Sequence, residues 1–383
     1  MNVALIAPRF PPCYDGAGDH AEHIAEALTA GGNRVLVLTE GDERRHAAPY
    51  EVRSVGQSWN ARAIRKASGW VFALPASAIL IEYTPFNFGA RSMAPLALSY
   101  AARIRDVPVG TFAHEVFYPP GAAVVRGRAK SRLLAIRDRM VLSNSTAVFV
   151  ADDEHRRRIV TRCPALGPRV FVVPIGANIE PRAAAACKPD HAAARRRVLA
   201  FGVVMPRRRI ELLVRALAKL VERGIDAELL VVGRIFDAGY AARCDALARE
   251  LGLQDRVQLC GALPAADVSA AMQTAHAAVH AAEQGAVASS GALLAVLAHA
   301  VPTVVVSTPF DDRAFFECAI FARPEPAAIA DALAGILSDR ARAAALGSLG
   351  QTLYERRFRW ERSAGAALAH LAREERFARA AGY

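Results

Sequence analysis

Short runs of aliphatic and β-branched residues recur along this chain, separated by stretches long enough for one helix. This alternation limits the possible folds more than any other feature. In the first half the runs occupy 2–8 (NVALIAP), 33–39 (NRVLVLT), 78–84 (AILIEYT), 107–113, 146–151 and 169–176. They are apolar almost without interruption, the pattern of strands buried on both faces. Ala-rich helical stretches lie between several of them, such as DHAEHIAEALTAGG, which closes on a glycine pair as a helix C-cap does. Such strands alternating with helices predict a parallel sheet covered on both sides.

The alternation stops at 179–196, a segment with two prolines and no clean period, and then restarts with RVLAFGVV, RIELLVRALAKLVERG, AELLVVG, RVQLCG, AAVHAA and PTVVVS. The sequence therefore predicts an α/β chain of two Rossmann-like, doubly wound parallel-sheet domains. The boundaries read 1–178, a linker at 179–196, and 197–356, with a helical tail at 357–383. Two such domains in tandem are expected to face a central cleft, with a ligand at the carboxyl ends of the strands.

The composition excludes several classes. Six cysteines are scattered without a C-x-x-C pair, which argues against a zinc site or a disulfide framework and fits a reducing cytoplasm. Met1 leads directly into a strand, so no signal peptide is expected. No window is long and apolar enough for a membrane helix; 70–83 reads as a helix end followed by a buried strand. The net charge of +11 comes from 44 Arg and four Lys spread over the whole length, and no nucleic-acid-binding pattern accompanies it. The densest basic segment, Arg126 to Met140, alternates arginines, through Arg139, with Leu and Ile. It fits a solvated helix face or a helix on anionic lipid headgroups.

Four loops carry residues suited to binding or chemistry. After the first strand, Gly16-Ala17-Gly18 permits close backbone approach to a ligand, and Asp19 is placed to cap a helix from about His20. His114-Glu115 ends the 107–113 strand, with Tyr118 and Pro119-Pro120 shaping the loop beyond. Arg207-Arg208-Arg209, five residues past Gly202, stand before a helix start. A helix dipole disfavours cations there unless an anion comes between them. Finally, Glu283 and Gly285 lead to Ser289-Ser290-Gly291-Ala292, which opens an apolar helix. Ser290 can cap that helix, but the two-domain plan favours a phosphate on the bare N–H groups of this stretch.

These stretches together resemble a known family. FGxxxPxxxIELL, VVG, RVxxxGxLPxxDVSxxMxxA and LLAxLAHxVPxVV are similar to the donor-binding domain of GT-B glycosyltransferases of family four (glycosyl transferases group 1). GAGDH, and EYTPFNFG with the later FAHE, resemble the acceptor half of a bacterial branch. YERRFRWERSAGAAL resembles the family's closing helix, which crosses back to the N-terminal domain. The resemblance covers essentially the whole chain. It implies transfer of a sugar from a nucleotide-diphosphate donor, UDP or GDP type, as co-substrate, to a glycan, lipid-linked or small-molecule acceptor. It further implies retention, no cofactor and no bound metal, the last in keeping with the lack of a D-x-D triplet.

Carried over by position, Gly16 and Ala17 would approach the diphosphate or the acceptor, and His114 would contact the transferred sugar. The phosphate-binding Lys of the family falls on Arg208, and its Gly on Arg209. Glu283 matches the first carboxylate of the family's E-x7-E motif and would bind sugar hydroxyls. The second, which holds the nucleotide ribose, is replaced by Gly291, or by Ala295 if Pro302 anchors the match; Ser289 and Ser290 stand where a longer-loop branch carries an Arg pair. These departures keep two alternatives open: a catalytically weakened GT-B protein acting as a partner subunit, and another GT-B chemistry such as sugar-nucleotide epimerisation or pseudo-glycosyl transfer. A cytoplasmic enzyme, peripheral at the inner face of the membrane, is the expected setting.

Overall fold

The structure, a computed structural model, describes residues 1–12, 16–41, 48–74, 76–85, 87–89, 93–117, 128–182 and 195–380. The chain divides into two compact units, Met1–Ile175 with Trp360–Tyr383, and Gly176–Arg359. Tyr118, Pro119, Pro120, Arg126 and most of 179–196 lie outside the described residues.

Unit 1 is built on a seven-stranded parallel sheet. Its strands are β1 (Asn2–Ile6), β2 (Arg34–Thr39), β3 (Glu51–Ser54), β4 (Ala78–Tyr83), β5 (Val109–Ala113), β6 (Ala147–Val150) and β7 (Val170–Val172), in the order β3-β2-β1-β4-β5-β6-β7. Strand β4 shows why its run is apolar throughout. Ala78 and Leu80 belong to the core on one face and Ile79 and Ile81 to the core on the other. A fully buried Leu or Ile side chain of this kind contributes about 1.5–3 kcal/mol.

Unit 2 repeats the plan with six parallel strands, β8 (Arg196–Phe201), β9 (Ala227–Val232), β10 (Val257–Gly261), β11 (Ala277–His280), β12 (Thr303–Val306) and β13 (Ile320–Ala322), ordered β10-β9-β8-β11-β12-β13. In each sheet the strand order reverses once, between β1 and β4 and between β8 and β11. Those are the switch points where open α/β sheets bind ligands. The strands β3 and β13 have no counterpart among the apolar runs of the sequence. Both are short edge strands, paired on one side, and need no two-faced apolar pattern.

Two helices differ from their sequence reading. Helix α1 spans Gly16–Ala30, so Asp19 lies in its first turn, where it complements the dipole, and does not cap a helix from His20. Within that first turn Gly18 packs on the Arg9 backbone, where a Cβ would meet the Arg9 carbonyl oxygen at 2.8 Å. The tail, read as one helical stretch, is two helices, α11 (Arg340–Arg357) and α12 (Trp360–Ala380). Phe358 ends α11 at φ −121°, fully buried and stacked on Phe315. From there α12 packs against α1, β5 and β6 of unit 1.

Candidate functional sites at the two switch points

In unit 1, three ionisable side chains converge on the carboxyl end of the sheet. Glu82 is the fifth residue of β4, His114 directly follows β5, and His20 lies in the second turn of α1. Parallel pairing sets Glu82 beside Phe112, and the His114 N–H continues the ladder by donating to the Tyr83 carbonyl at 3.1 Å. Glu82 is completely buried, and its carboxylate accepts from His20 Nδ1 at 3.0 and 3.1 Å and from His114 Nε2 at 2.5 Å. Burial by itself would push the Glu82 carboxyl up, but the two imidazoles more than offset this and hold it below its ordinary value. Burial pushes His20 down, against the pull of Glu82, so it stays neutral.

Aromatic rings surround the group. His20 sits edge-on to Phe112 and Trp360, and His23 stacks on Trp360. The loop beyond His114 is held by Asp138, which accepts from the Phe117 N–H at 2.9 Å and the Tyr83 hydroxyl at 2.7 Å. Asp138 belongs to α4 (Arg128–Ser143). The ligand atoms of His20, Glu82 and His114 lie within 4.8 Å of one another, a donor set of the kind zinc uses. Their separations of 2.5–3.1 Å are those of hydrogen bonds within the set.

Unit 2 places a different chemistry at its switch point. After β8 the chain passes Gly202, at φ +131°, and a short 3-10 turn, Pro206–Arg208. Arg209, in a left-handed conformation at φ 49°, then leads into α6 (Ile210–Glu222). The Arg208 side chain folds back over Gly202, where a Cβ would meet its guanidinium carbon at 3.3 Å. Its Nη1 is buried and meets no acceptor among the described residues. Burial, and then Arg207, push the guanidinium down from its usual value. Arg208 as a whole is only partly buried, but a buried donor nitrogen without an acceptor is costly, which makes Nη1 the most informative atom in the unit.

His280, at the end of β11, lines the same small cavity as Gly202 and Arg208. It donates from Nε2 to the Gly285 carbonyl at 3.2 Å, and burial, reinforced by Arg208, holds its pKa down at about 4.

The loop from β11 to α9 (Gly291–Ala298) is fixed at several points. The Glu283 N–H donates to the Arg207 carbonyl at 3.0 Å, and the two side chains form a solvent-exposed ion pair at 3.5 Å. Gly285, at φ +78°, leaves room for Thr308 and Asp311; Asp311 also accepts from the Ala286 and Thr308 N–H groups at 2.8 Å. Ser290 caps α9 by accepting from the Leu293 N–H at 3.4 Å. The space opened by the missing side chain of Gly291 is filled by the Asn178 amide.

The structure thus gathers Gly202, Arg207, Arg208, Glu283 and Gly285 in adjoining loops of unit 2. Ser289, Ser290, Gly291 and Ala292 form the start of α9 on the same strand-end side. Gly16, Ala17 and Gly18 form the first turn of α1 in unit 1, one turn ahead of His20. Sequence reasoning did not single out His20, Glu82, His280, Asn178 or Asp311. A buried Glu within an otherwise apolar run, at position 82, was the available signal for the first group.

Residues 14–181 match the model of Glycosyltransferase Family 4, and residues 195–339 match that of Glycosyl transferases group 1. The chain belongs to the group 1, family-four glycosyltransferases. Its fold is GT-B, and solved structures share it over nearly full length. Sucrose-phosphate synthase from Thermosynechococcus elongatus superposes with a TM-score of 0.70 at 18% identity, covering 98% of each chain. A glycosyltransferase from Rickettsia africae gives 0.74 at 12%, again over 98% of each. Anabaena HepE, solved in complex with UDP and glucose, gives 0.71 at 15%, covering 97% of this chain and 99% of its own. No curated protein matches the chain by sequence. In this glycosyltransferase the family models span both switch points, including His20, Glu82 and His114 in one and Arg208 and His280 in the other.

Proposed function

We propose that this glycosyltransferase takes a sugar from a UDP- or GDP-type donor and passes it to a glycan, lipid-linked or small-molecule acceptor. Transfer proceeds with retention and without a bound metal. The observation that carries this reading is the buried, unpartnered Nη1 of Arg208 at the β8/β11 switch point. A diphosphate placed there receives a charge-assisted hydrogen bond from that nitrogen, and its charge opposes that of the guanidinium. As the sugar–oxygen bond breaks, negative charge grows on the departing diphosphate, and a preorganised guanidinium stabilises that charge. The UDP and UDP-glucose held by HepE support a nucleotide-sugar partner. His114 contacts the transferred sugar, and the half-exposed Glu283 binds its hydroxyls, tethered through Arg207.

Arg208→Ala should leave the fold intact by circular dichroism and lower turnover about 100-fold, the typical loss on removing one such donor. Unchanged turnover would overturn the assignment. A second reading, a weakened partner subunit, draws on Gly291, which stands where the family's ribose-holding carboxylate belongs and whose space Asn178 fills. Calorimetry with UDP-, GDP- and ADP-sugars separates the two, since a pure partner subunit binds none.

The protein works as a peripheral enzyme on an anionic membrane surface through α4. Leu134, Asp138 and Val141 face inward, whereas Leu133, Ile136 and Met140 are exposed at helical spacing beside the exposed Arg132 and Arg139. A face that is both apolar and basic suits the lipid interface better than bulk water. No described helix is long and apolar enough to cross a membrane. The chain should sediment with phosphatidylglycerol vesicles at low salt, less so with phosphatidylcholine vesicles, and not at high salt. Leu133→Glu with Ile136→Glu should abolish binding; vesicle binding that survives this change would refute the role of α4.

A further inference from the structure

The hydrogen-bond arithmetic of the His20–Glu82–His114 group determines more than its shape. An ionised carboxylate can only accept, so both ring nitrogens that face it must carry hydrogen. His20 therefore presents Nδ1–H and His114 presents Nε2–H. In that tautomer the other His114 ring nitrogen, Nδ1, is a bare lone pair on a side chain that is 21% exposed, whereas Glu82 is completely enclosed. The backbone reinforces this orientation: the His114 N–H is tied to Tyr83, and the following loop is tied to Asp138 through Phe117.

We propose that Glu82 is a positioning residue which, with His20 bonded to its other side, locks His114 in the Nε2–H tautomer, so that Nδ1 serves as a hydrogen-bond acceptor for a hydroxyl of the transferred sugar. The inference rests on the reading of His114 as a sugar contact and adds its polarity: His114 accepts from a sugar hydroxyl. Glu82 does not touch the sugar. His20 is the counter-donor that satisfies the rest of the carboxylate, and its packing between Phe112 and Trp360 fixes the far side of the group. A glutamine at position 82 would break the arrangement while keeping its shape. Its amide offers one acceptor and one donor edge, so one of the two imidazoles must turn its lone pair inward.

The test is nitrogen-15 NMR of histidine-labelled protein at neutral pH, with His114 and His20 assigned from His114→Gln and His20→Gln spectra. Nitrogen-15 shifts separate bare from protonated ring nitrogens. The wild type should show a bare Nδ1 and a protonated Nε2 at His114, and the reverse at His20. In Glu82→Gln one of the two should change tautomer, whereas Glu82→Asp, which keeps an acceptor-only group, should retain the wild-type signature. A protonated Nδ1 at His114 in the wild type overturns the proposal, and so does a Glu82→Gln protein with both signatures unchanged. The wild-type spectrum decides alone if the glutamine variant does not fold. With whichever of UDP-, GDP- and ADP-glucose turns over fastest, Glu82→Gln should lower kcat by up to about 100-fold, as mispositioning does, with donor KM unchanged. If His114→Ala leaves turnover intact, the sugar-contact reading fails. If His114→Ala lowers kcat and Glu82→Gln does not, only the positioning role fails.

Discussion

The two switch points share one topology and solve opposite electrostatic problems. At β1/β4 a buried anion, Glu82, receives hydrogen bonds from two imidazoles and is satisfied within the protein. At β8/β11 a partly buried cation, Arg208, has one buried nitrogen without an acceptor and a neutral His280 beside it. The first arrangement is complete without a ligand and can orient a side chain. The second leaves a donor open to an arriving anion. A self-satisfied polar cluster in a low-dielectric interior stabilises and orients, whereas an unsatisfied one costs stability and marks where binding energy is to be gained.

The contrast can be broken by substitutions of the same kind in the two sites. The largest effect is expected in unit 1. Glu82→Leu leaves the buried His20 donor and the partly buried His114 donor unpaired, and should cost about 4 kcal/mol in urea unfolding; a loss below about 1 kcal/mol would show that the cluster does not hold the unit.

Next comes the pH response of unit 2. His280 titrates near 4 in the fold and at 6.5 when unfolded, so the unfolded chain binds the extra proton between those values. Stability is then fully present above pH 6.5 and falls as pH drops towards 4, by about 3 kcal/mol in all. His280→Phe should flatten that part of the stability profile, and an unchanged slope would remove His280 from the account.

Slightly smaller is the effect of an anion. Pyrophosphate at 100 times its dissociation constant should raise stability by about 2.7 kcal/mol, and Arg208→Ala should abolish the shift. Smallest is Arg208→Met without ligand, expected to be neutral or stabilising by about 1 kcal/mol because it removes a partly buried charge that has one donor without an acceptor. A strongly destabilised Arg208→Met protein would mean that Arg208 serves the fold and that the two sites are less different than their hydrogen bonds indicate.

Much of the fold was legible because its central strands are buried on both faces. The run AILIEY reads as continuous apolar chain since Ile79 and Leu80 enter opposite cores. Where that condition lapses, the sequence is silent. The edge strand EVRS, half-exposed over its first three residues, carries no such run, and Phe358 interrupts the tail because of a stacking partner, Phe315, 43 residues earlier in the chain.

The candidate residues divide in the same way. Loop composition pointed to Arg208, because three arginines before a helix need an anion to account for them, and to His114 at a strand end. Which atom of Arg208 stays bare depends on the backbone folding the side chain over Gly202, and no local pattern encodes that. The opening of α9 shows both sides of the matter: the sequence favoured an anion on its N–H groups, and the fold adds that the Ser290 hydroxyl caps the helix while Asn178 occupies the space at Gly291.

By itself, then, the sequence determined the two sheets, their parallel order of strands and helices, and the loops at their carboxyl ends, because periodicity and turn chemistry are local properties. Only the tertiary structure decided which charges meet. Glu82 lies 62 residues from His20 and 32 from His114, and the three touch because β4 lies between β1 and β5. Buried hydrogen bonding is a property of that juxtaposition, and it separates a satisfied carboxylate in one domain from an unsatisfied guanidinium in the other.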